Sequence, residues 1–305
     1  MKKFALVIAL TIAAASAMAQ STFKVSTGGA SATYSRMAKE IGNACAADIQ
    51  LQEINSSGSM QNMDRLTGNE VQGAFVQTDV IKFRGNTEDL SNIKTLVTLH
   101  PEQVHLVALA AGGAKEGGVM GIGGKAVVFN TVNDLAGRTV VASGGSYITA
   151  QVIRLQTEIN FNVVEVADAK AAIEAVNAGT AAAALFVGGQ PMDNLKTLNK
   201  AHKLLSFPEG TVAKLKNVYK PATVNYTNMG STGVATVSTD ALLVVRQYKT
   251  PKMVEALAKF RSCFNTKAPE LAETTGTHAA WTKVSVGAES KWPMYELPTV
   301  AATKK

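Results

Sequence analysis

The chain is poor in charge: only 17% of its 305 residues are Asp, Glu, Lys or Arg, against 46% hydrophobic residues. That balance can fill one large core or two ordinary ones, which excludes disorder. Cysteine is scarcer, with Cys45 and Cys263 alone, too few for a disulfide-stapled scaffold. The four histidines, His100, His105, His202 and His278, show neither HExxH nor the close Cys/His spacing of a zinc site. No serine sits in a GxSxG elbow and no GK[ST] closes a glycine-rich loop, so neither a nucleophile nor a cofactor is indicated. Lys and Arg form no cluster interleaved with aromatics, which argues against nucleic acid. After the first twenty residues no apolar run reaches the length of a membrane span.

What is present begins with a leader. Lys2 and Lys3 precede an apolar run over residues 4–15, and Ala17-Met18-Ala19 offers a small-x-small cleavage site before Gln20. Cleavage after Ala19 predicts an exported protein, with the periplasm as its compartment and no membrane-spanning segment once mature. It also lowers the formal charge from +7 by the two lysines, leaving +5, which suits an anionic ligand or plain solubility. In an oxidising compartment the two cysteines permit one bridge; two separately buried thiols is the alternative.

The organising stretch is residues 22–41, TFKVSTGGASATYSRMAKEI. A short alternating strand runs into the turn at Gly28 and Gly29, and a helix follows from about Ser31 or Thr33. A helix N-terminus presents unpaired N–H groups, so this turn with Ser31, Thr33 and Tyr34 frames a point for a small anion. The same order recurs. A strand over 48–54 leads to Ser57, Gly58, Ser59 and Asn62 at the start of a helix, and a buried strand over 73–76 ends at Gln77, with Thr78 and Asp79 as helix caps. About 115 residues after the first turn, a strand over 139–142 reaches Ser143, Gly144, Gly145 and Ser146 and another helix. A later strand over 181–187 closes on Gly188 and Gly189. Strand, polar turn, helix, strand is the βαβ pattern, so an α/β fold with a mostly parallel sheet is expected, with glycine turns of two halves facing across a cleft. Residues 113–124 read as a surface loop. The sequence also predicts helices over 133–135 and 251–264, a strand over 240–245, a cleft approach by Tyr226 and Asn228, and a tail packed by Trp281, Trp292 and Tyr295.

Together, STGGASATYSRMAKEI, INSSGSMQNMDRLTGNEVQGAFVQTDV, LVTLHPEQVHLVA, VNDLAGRTVVASGGS and LFVGGQP resemble the TAXI family of extracytoplasmic solute receptors serving TRAP (tripartite ATP-independent periplasmic) transporters. The likeness is strongest over residues 22–109 and 132–192, and its most specific piece is SSGSxxNxxRLxxxEVxxxFVQxDV. It implies a type II periplasmic binding protein: two α/β lobes around a ligand cleft, residues 21–109 with 240–305 forming lobe one and 110–239 lobe two. It further implies a non-enzymatic, monomeric receptor that captures a small organic anion, a glutamate-like amino acid or dicarboxylate, for a membrane transporter. Matching motifs place binding residues at Gly28, Gly29, Ser31 and Tyr34; at Ser57, Ser59 and Asn62; at Gln77 and Thr78; and at Ser143, Gly144, Gly145, Ser146, Gly188 and Gly189.

This chain departs from the family in having SATYSRM where a GGTYYP-like pattern is usual, and in the glycine-rich insertion, which reads as a lid or a docking loop. A sensor without transport and a serine-dependent hydrolase are the alternative functions. The carboxylate is expected to be met by neutral donors, because Arg36 lies two positions from Tyr34 on the helix and i,i+2 residues do not share a face.

Overall fold

The computed structural model describes residues 22–116 and 125–297. The expected leader and residues 117–124 of the insertion lie outside the described residues. The insertion's flanks pair as a two-stranded antiparallel ribbon.

In chain order the elements are β1 (Thr22–Ser26), α1 (Thr33–Ala44), β2 (Gln50–Ile54), α2 (Ser59–Thr67), β3 (Gly73–Gln77), α3 (Thr78–Arg84) and β4 (Ile93–Leu109). The ribbon strands β5 (Ala114–Glu116) and β6 (Lys125–Val127) lead to β7 (Thr139–Ala142), α4 (Gly145–Thr157), β8 (Asn162–Glu165), α5 (Ala169–Asn177) and β9 (Ala183–Gly188). Then come α6 (Asp193–Lys196), β10 (His202–Leu204), α7 (Glu209–Leu215), β11 (Lys220–Tyr226), β12 (Ser231–Arg246) and α8 (Pro251–Glu273), with a 3-10 turn at Ala279–Lys283.

The large sheet has the order β2-β1-β3-β12-β4-β9-β7-β8. Its outer trios, β2-β1-β3 and β9-β7-β8, are parallel βα units. The middle pair, β4 and β12, is antiparallel and long, and together the two strands join the trios, β12 bonding β3 and β4 bonding β9. The segment LVTLHPEQVHLVA thus lies within one continuous strand, Pro101 included. The strand expected over 240–245 begins at Ser231, because residues 234–238 pair with β11.

Packing explains where a cleft forms. On one face a continuous core runs through both halves, from Met63, Leu66 and Val76 to Val140, Ile153 and Leu185. On the other face the core is divided. One part holds Phe23, Tyr34, Met37, Ile41, Phe75, Phe260 and Trp281; the other holds Val141, Phe186, Leu195, Val224 and Tyr226. The parallel strands are covered on both faces, and accordingly β3 and β9 are buried at every position.

Local sequence accounts for the helices that face the cleft. In α1, Tyr34, Met37, Ala38 and Ile41 repeat at helical spacing and are all buried. Helix α8 runs nine residues past its expected end at Phe264, through Pro269. An interior proline costs about 3 kcal/mol, and here the burial of Ala268 and Leu271 offsets it. Cys45 after α1 and Cys263 in α8 are joined as a disulfide, 218 residues apart in sequence. Trp281 and Tyr295 are fully buried against the same core, as the tail reading expects, with Trp281 Nε1 donating to Glu40 Oε2 at 2.6 Å.

Candidate functional site

A cavity of about 280 Å³ opens between the two separated cores. The starts of three helices frame it: Gly28, Gly29, Ser31 and Tyr34 before and in α1, Ser57 and Ser59 at α2, and Ser143, Gly145 and Ser146 at α4. None of the three helices carries a side-chain N-cap hydrogen bond. The capping residues are Ala32, Gly58 and Gly144, whose side chains carry no oxygen, so the starts of α1 and α2 leave first-turn N–H groups to a cavity occupant, whereas in α4 the Ser146 and Tyr147 N–H groups donate to the Ser143 and Gly144 carbonyls. Gln77 at the end of β3 and Gly188 at the end of β9 complete the contribution of the residues named from sequence.

The serine hydroxyls are oriented by backbone. Ser59 Oγ accepts from the Gln77 N–H at 3.1 Å, and Ser146 Oγ from the Val187 N–H at 3.1 Å. Each hydroxyl therefore keeps its own hydrogen for another acceptor. The Gln77 Oε1 atom is buried without a partner.

Four of the residues named from sequence do not line the cavity. Asn62 is buried behind it, where Oδ1 accepts from Ser26 Oγ at 2.6 Å and Ser56 Oγ at 2.5 Å, and Nδ2 donates to the carbonyls of Thr27 and Phe75. Thr78 donates from Oγ1 to the Asp240 carbonyl at 2.8 Å. It sits inside α3 with Asp79, where caps were expected, because β12 supplies an acceptor that no local pattern reveals. Gly144 has φ +53°, and a Cβ there would lie 2.5 Å from the Ser57 carbonyl oxygen. Gly189 packs against His100, 2.8 Å from a Cβ position to Cδ2. Tyr226 and Asn228, expected to approach the cleft, are structural: the Tyr226 hydroxyl accepts from the Met192 N–H at 2.8 Å, and Asn228 Nδ2 donates to the carbonyls of Leu195 and Leu198.

Among the described residues no Lys or Arg lines the cavity. Arg36 pairs instead with Glu40 at 3.7 Å. The acidic lining residue Asp193 is paired with Lys196 at 2.6 Å. Glu102, on β4 at the floor, was not recognised from sequence; within LHPEQVHL it reads as a turn residue, and only the pairing of β4 turns it inward. It is buried, and its Oε2 accepts from the Tyr34 hydroxyl at 2.6 Å. Burial pushes its pKa up to about 8, with the nearby Asp79 adding to the effect. His100 Nε2 lies 3.7 Å from Oε1, and burial pushes that imidazole down to about 3, so both groups of this pair are neutral near pH 7.

Two further groups surround the site. His278 meets Thr33 Oγ1 at 3.5 Å and accepts from the Ala280 N–H at Nδ1, and burial followed by the Arg36 charge lowers its pKa. Behind the cavity Asp79 joins the two halves: its Oδ2 accepts from Thr149 on α4 at 2.6 Å and from Tyr219 at 2.8 Å. Burial raises its pKa. Among the described residues no cluster of three or more His, Cys, Asp or Glu could hold a metal, and no helix is long and apolar enough to cross a membrane.

The fold is shared with solved solute-binding proteins. Tv2483 bound to L-arginine superposes with TM-score 0.53 at 12% identity, over 88% of this chain and 95% of that one. The substrate-binding protein of an amino acid ABC transporter gives 0.50 at 12%, over 82% and 94%. AbpA from Streptococcus pneumoniae bound to L-arginine gives 0.50 at 12%, over 86% and 95%. These likenesses show the fold, the type II periplasmic binding protein with two α/β lobes. A family model described as NMT1-like matches residues 25–288. The chain belongs to the NMT1-like family.

Proposed function

We propose that the protein is an extracytoplasmic solute receptor of the TAXI type, which captures a small organic anion between its lobes and delivers it to a TRAP permease. The anion is a glutamate-like amino acid or a dicarboxylate. The observation that carries this reading is the convergence of three helix starts without side-chain caps on one cavity that, among the described residues, has no Lys or Arg in its wall. Hydrogen bonds to a charged group contribute about 1.5–3 kcal/mol each, so a few N–H and hydroxyl donors hold a carboxylate without a salt bridge. Lobe one takes residues 21–109 and 240–305 and lobe two 110–239, in keeping with the disulfide that ties α8 to α1. The long strands β4 and β12 are then the hinge. The protein binds without converting its ligand, a reading supported by Ser59 and Ser146, whose oxygens are held by backbone N–H groups rather than by a histidine. Export to the periplasm rests on the leader read from sequence.

A thermal-shift screen of amino and dicarboxylic acids, followed by calorimetry, tests the reading. Ser59→Ala and Tyr34→Ala are expected to weaken binding of the best acid by tenfold or more, on the order of 1.4 kcal/mol, whereas Arg36→Ala has little effect. Loss of binding in Arg36→Ala with normal binding in the other two would refute the neutral-donor site. A scattering radius unchanged by saturating ligand would refute closure of the lobes.

A further inference from the structure

The floor of the cavity holds a proton count that the carboxylate reading leaves open. Tyr34 and Glu102 are 2.6 Å apart and share one hydrogen bond whichever oxygen carries the hydrogen. When Glu102 is ionised the pair owns one hydrogen, spent between the two side chains, and offers an occupant only acceptors. When Glu102 is neutral the pair owns two, and one remains for a further acceptor, an occupant competing for it with the side chains of Gln77, which reaches Glu102, and Ser59, which reaches Tyr34. The same two residues thus present a donor or an acceptor, and the protonation of Glu102 decides which.

We propose that Glu102 is the specificity-determining residue of the cavity: as a neutral acid coupled to Tyr34, it donates a hydrogen bond to an anionic ligand and disfavours ligands that carry an ammonium group. This rests on the anion-receptor reading above and narrows it to acids without an amino group. The surroundings support it. Glu102 is 3% exposed, and among the described residues no Lys or Arg lines the cavity to hold it ionised. A carboxyl buried without a charge partner keeps its proton, and a ligand anion set beside it strengthens that tendency.

The titratable and charged groups near Glu102 are few. Tyr34 faces it from α1, Asp79 from the start of α3 and His100 from β4 itself, and His278, just before the 3-10 turn beyond α8, faces His100 and lines the same cavity. Asp193 stands at the rim on α6 and is paired with Lys196; on β12 Asp240 is paired with Lys220 at 2.8 Å. His100 and His278 are both pushed down by burial, so neither becomes a cation above neutral pH. Binding an anion above the pKa of Glu102 therefore requires proton uptake, and affinity falls by about tenfold for each pH unit there.

Glutarate and L-glutamate are matched probes, differing only in the ammonium group. Calorimetry with the wild-type protein from about pH 6 to about pH 10 should show glutarate binding tighter than L-glutamate near neutrality and weakening above about pH 8. Glu102→Gln, whose amide still donates, should bind glutarate with up to about tenfold lower affinity and without that decline. A carbon NMR titration of the glutamate carboxyls in the unliganded wild type, assigned by Glu102→Gln, should show Glu102 neutral at pH 7. Three results would overturn the proposal: L-glutamate binding tighter than glutarate and lost in Glu102→Gln, a flat wild-type profile for glutarate, or an ionised Glu102 in the NMR titration. Each of these leaves the anion receptor standing. Failure of both probes, and of every other small acid, to bind at any pH would instead overturn the receptor reading and this proposal with it.

Discussion

Gly144→Ala tests how closely the two halves of the molecule meet at the cavity. Gly144 has φ +53° and ψ −126° as the N-cap of α4, a conformation that costs a residue with a side chain about 1–3 kcal/mol. An added Cβ would lie 2.5 Å from the carbonyl oxygen of Ser57 across the cavity. Carbon contacts are comfortable near 3.5 Å, so about 1 Å must be found, and a backbone oxygen cannot swing aside as a side chain does. Overpacking of this kind costs about 1–3 kcal/mol, which makes about 2–6 kcal/mol in all if the halves stay together. If they part, the contact is relieved by a wider cleft and the cost appears in ligand affinity instead. Gly137→Ala is the matched control: φ is +72° there but nothing lies within 4 Å of the added carbon, so only strain of about 1–2 kcal/mol is expected. Urea unfolding of both variants and calorimetry with the acid found by screening would read the two terms. Equal destabilisation of the two variants, with normal binding by Gly144→Ala, would refute the close contact between Ser57 and Gly144.

Reduction of the disulfide, or its replacement by alanines, should lower the unfolding free energy by about 2–4 kcal/mol, since it closes a loop of 218 residues; an unchanged urea midpoint would count against the bridge. Asn62→Ala should cost about 2–4 kcal/mol of stability through the stranded Thr27 and Phe75 carbonyls, and a stable variant defective only in binding would place Asn62 in direct ligand contact. Glu102 has a folded pKa of about 8, above its unfolded value, so its contribution to stability is complete below about pH 4 and is lost as pH rises through about 8, on the order of 5 kcal/mol in total. Urea midpoints should fall over that window in the wild type and less steeply in Glu102→Gln; parallel profiles would contradict a neutral buried acid.

The sequence by itself determined the local units. Apolar spacing in residues 34–41 and the unbroken apolar runs of β3 and β9 are statements about neighbours on one helix or strand, so a linear pattern carries them. The glycine and serine turns were legible for the same reason, since a turn between a strand and a helix is local, and eleven of the fifteen residues named from those motifs line the cavity. Asn62, Thr78, Gly144 and Gly189 do not, because what occupies their side chains or the space beside them comes from elsewhere in the chain: Phe75 and Thr27 for Asn62, Asp240 for Thr78, Ser57 for Gly144, His100 for Gly189. Tertiary structure alone decided the long strands β4 and β12, whose length depends on partners drawn from both halves of the molecule. It also decided the inward turn of Glu102. A single glutamate among ordinary strand residues carries no signal of its own; its bond to Tyr34 comes from an element 68 residues away in sequence, and its pKa is raised by a burial that only the folded chain creates.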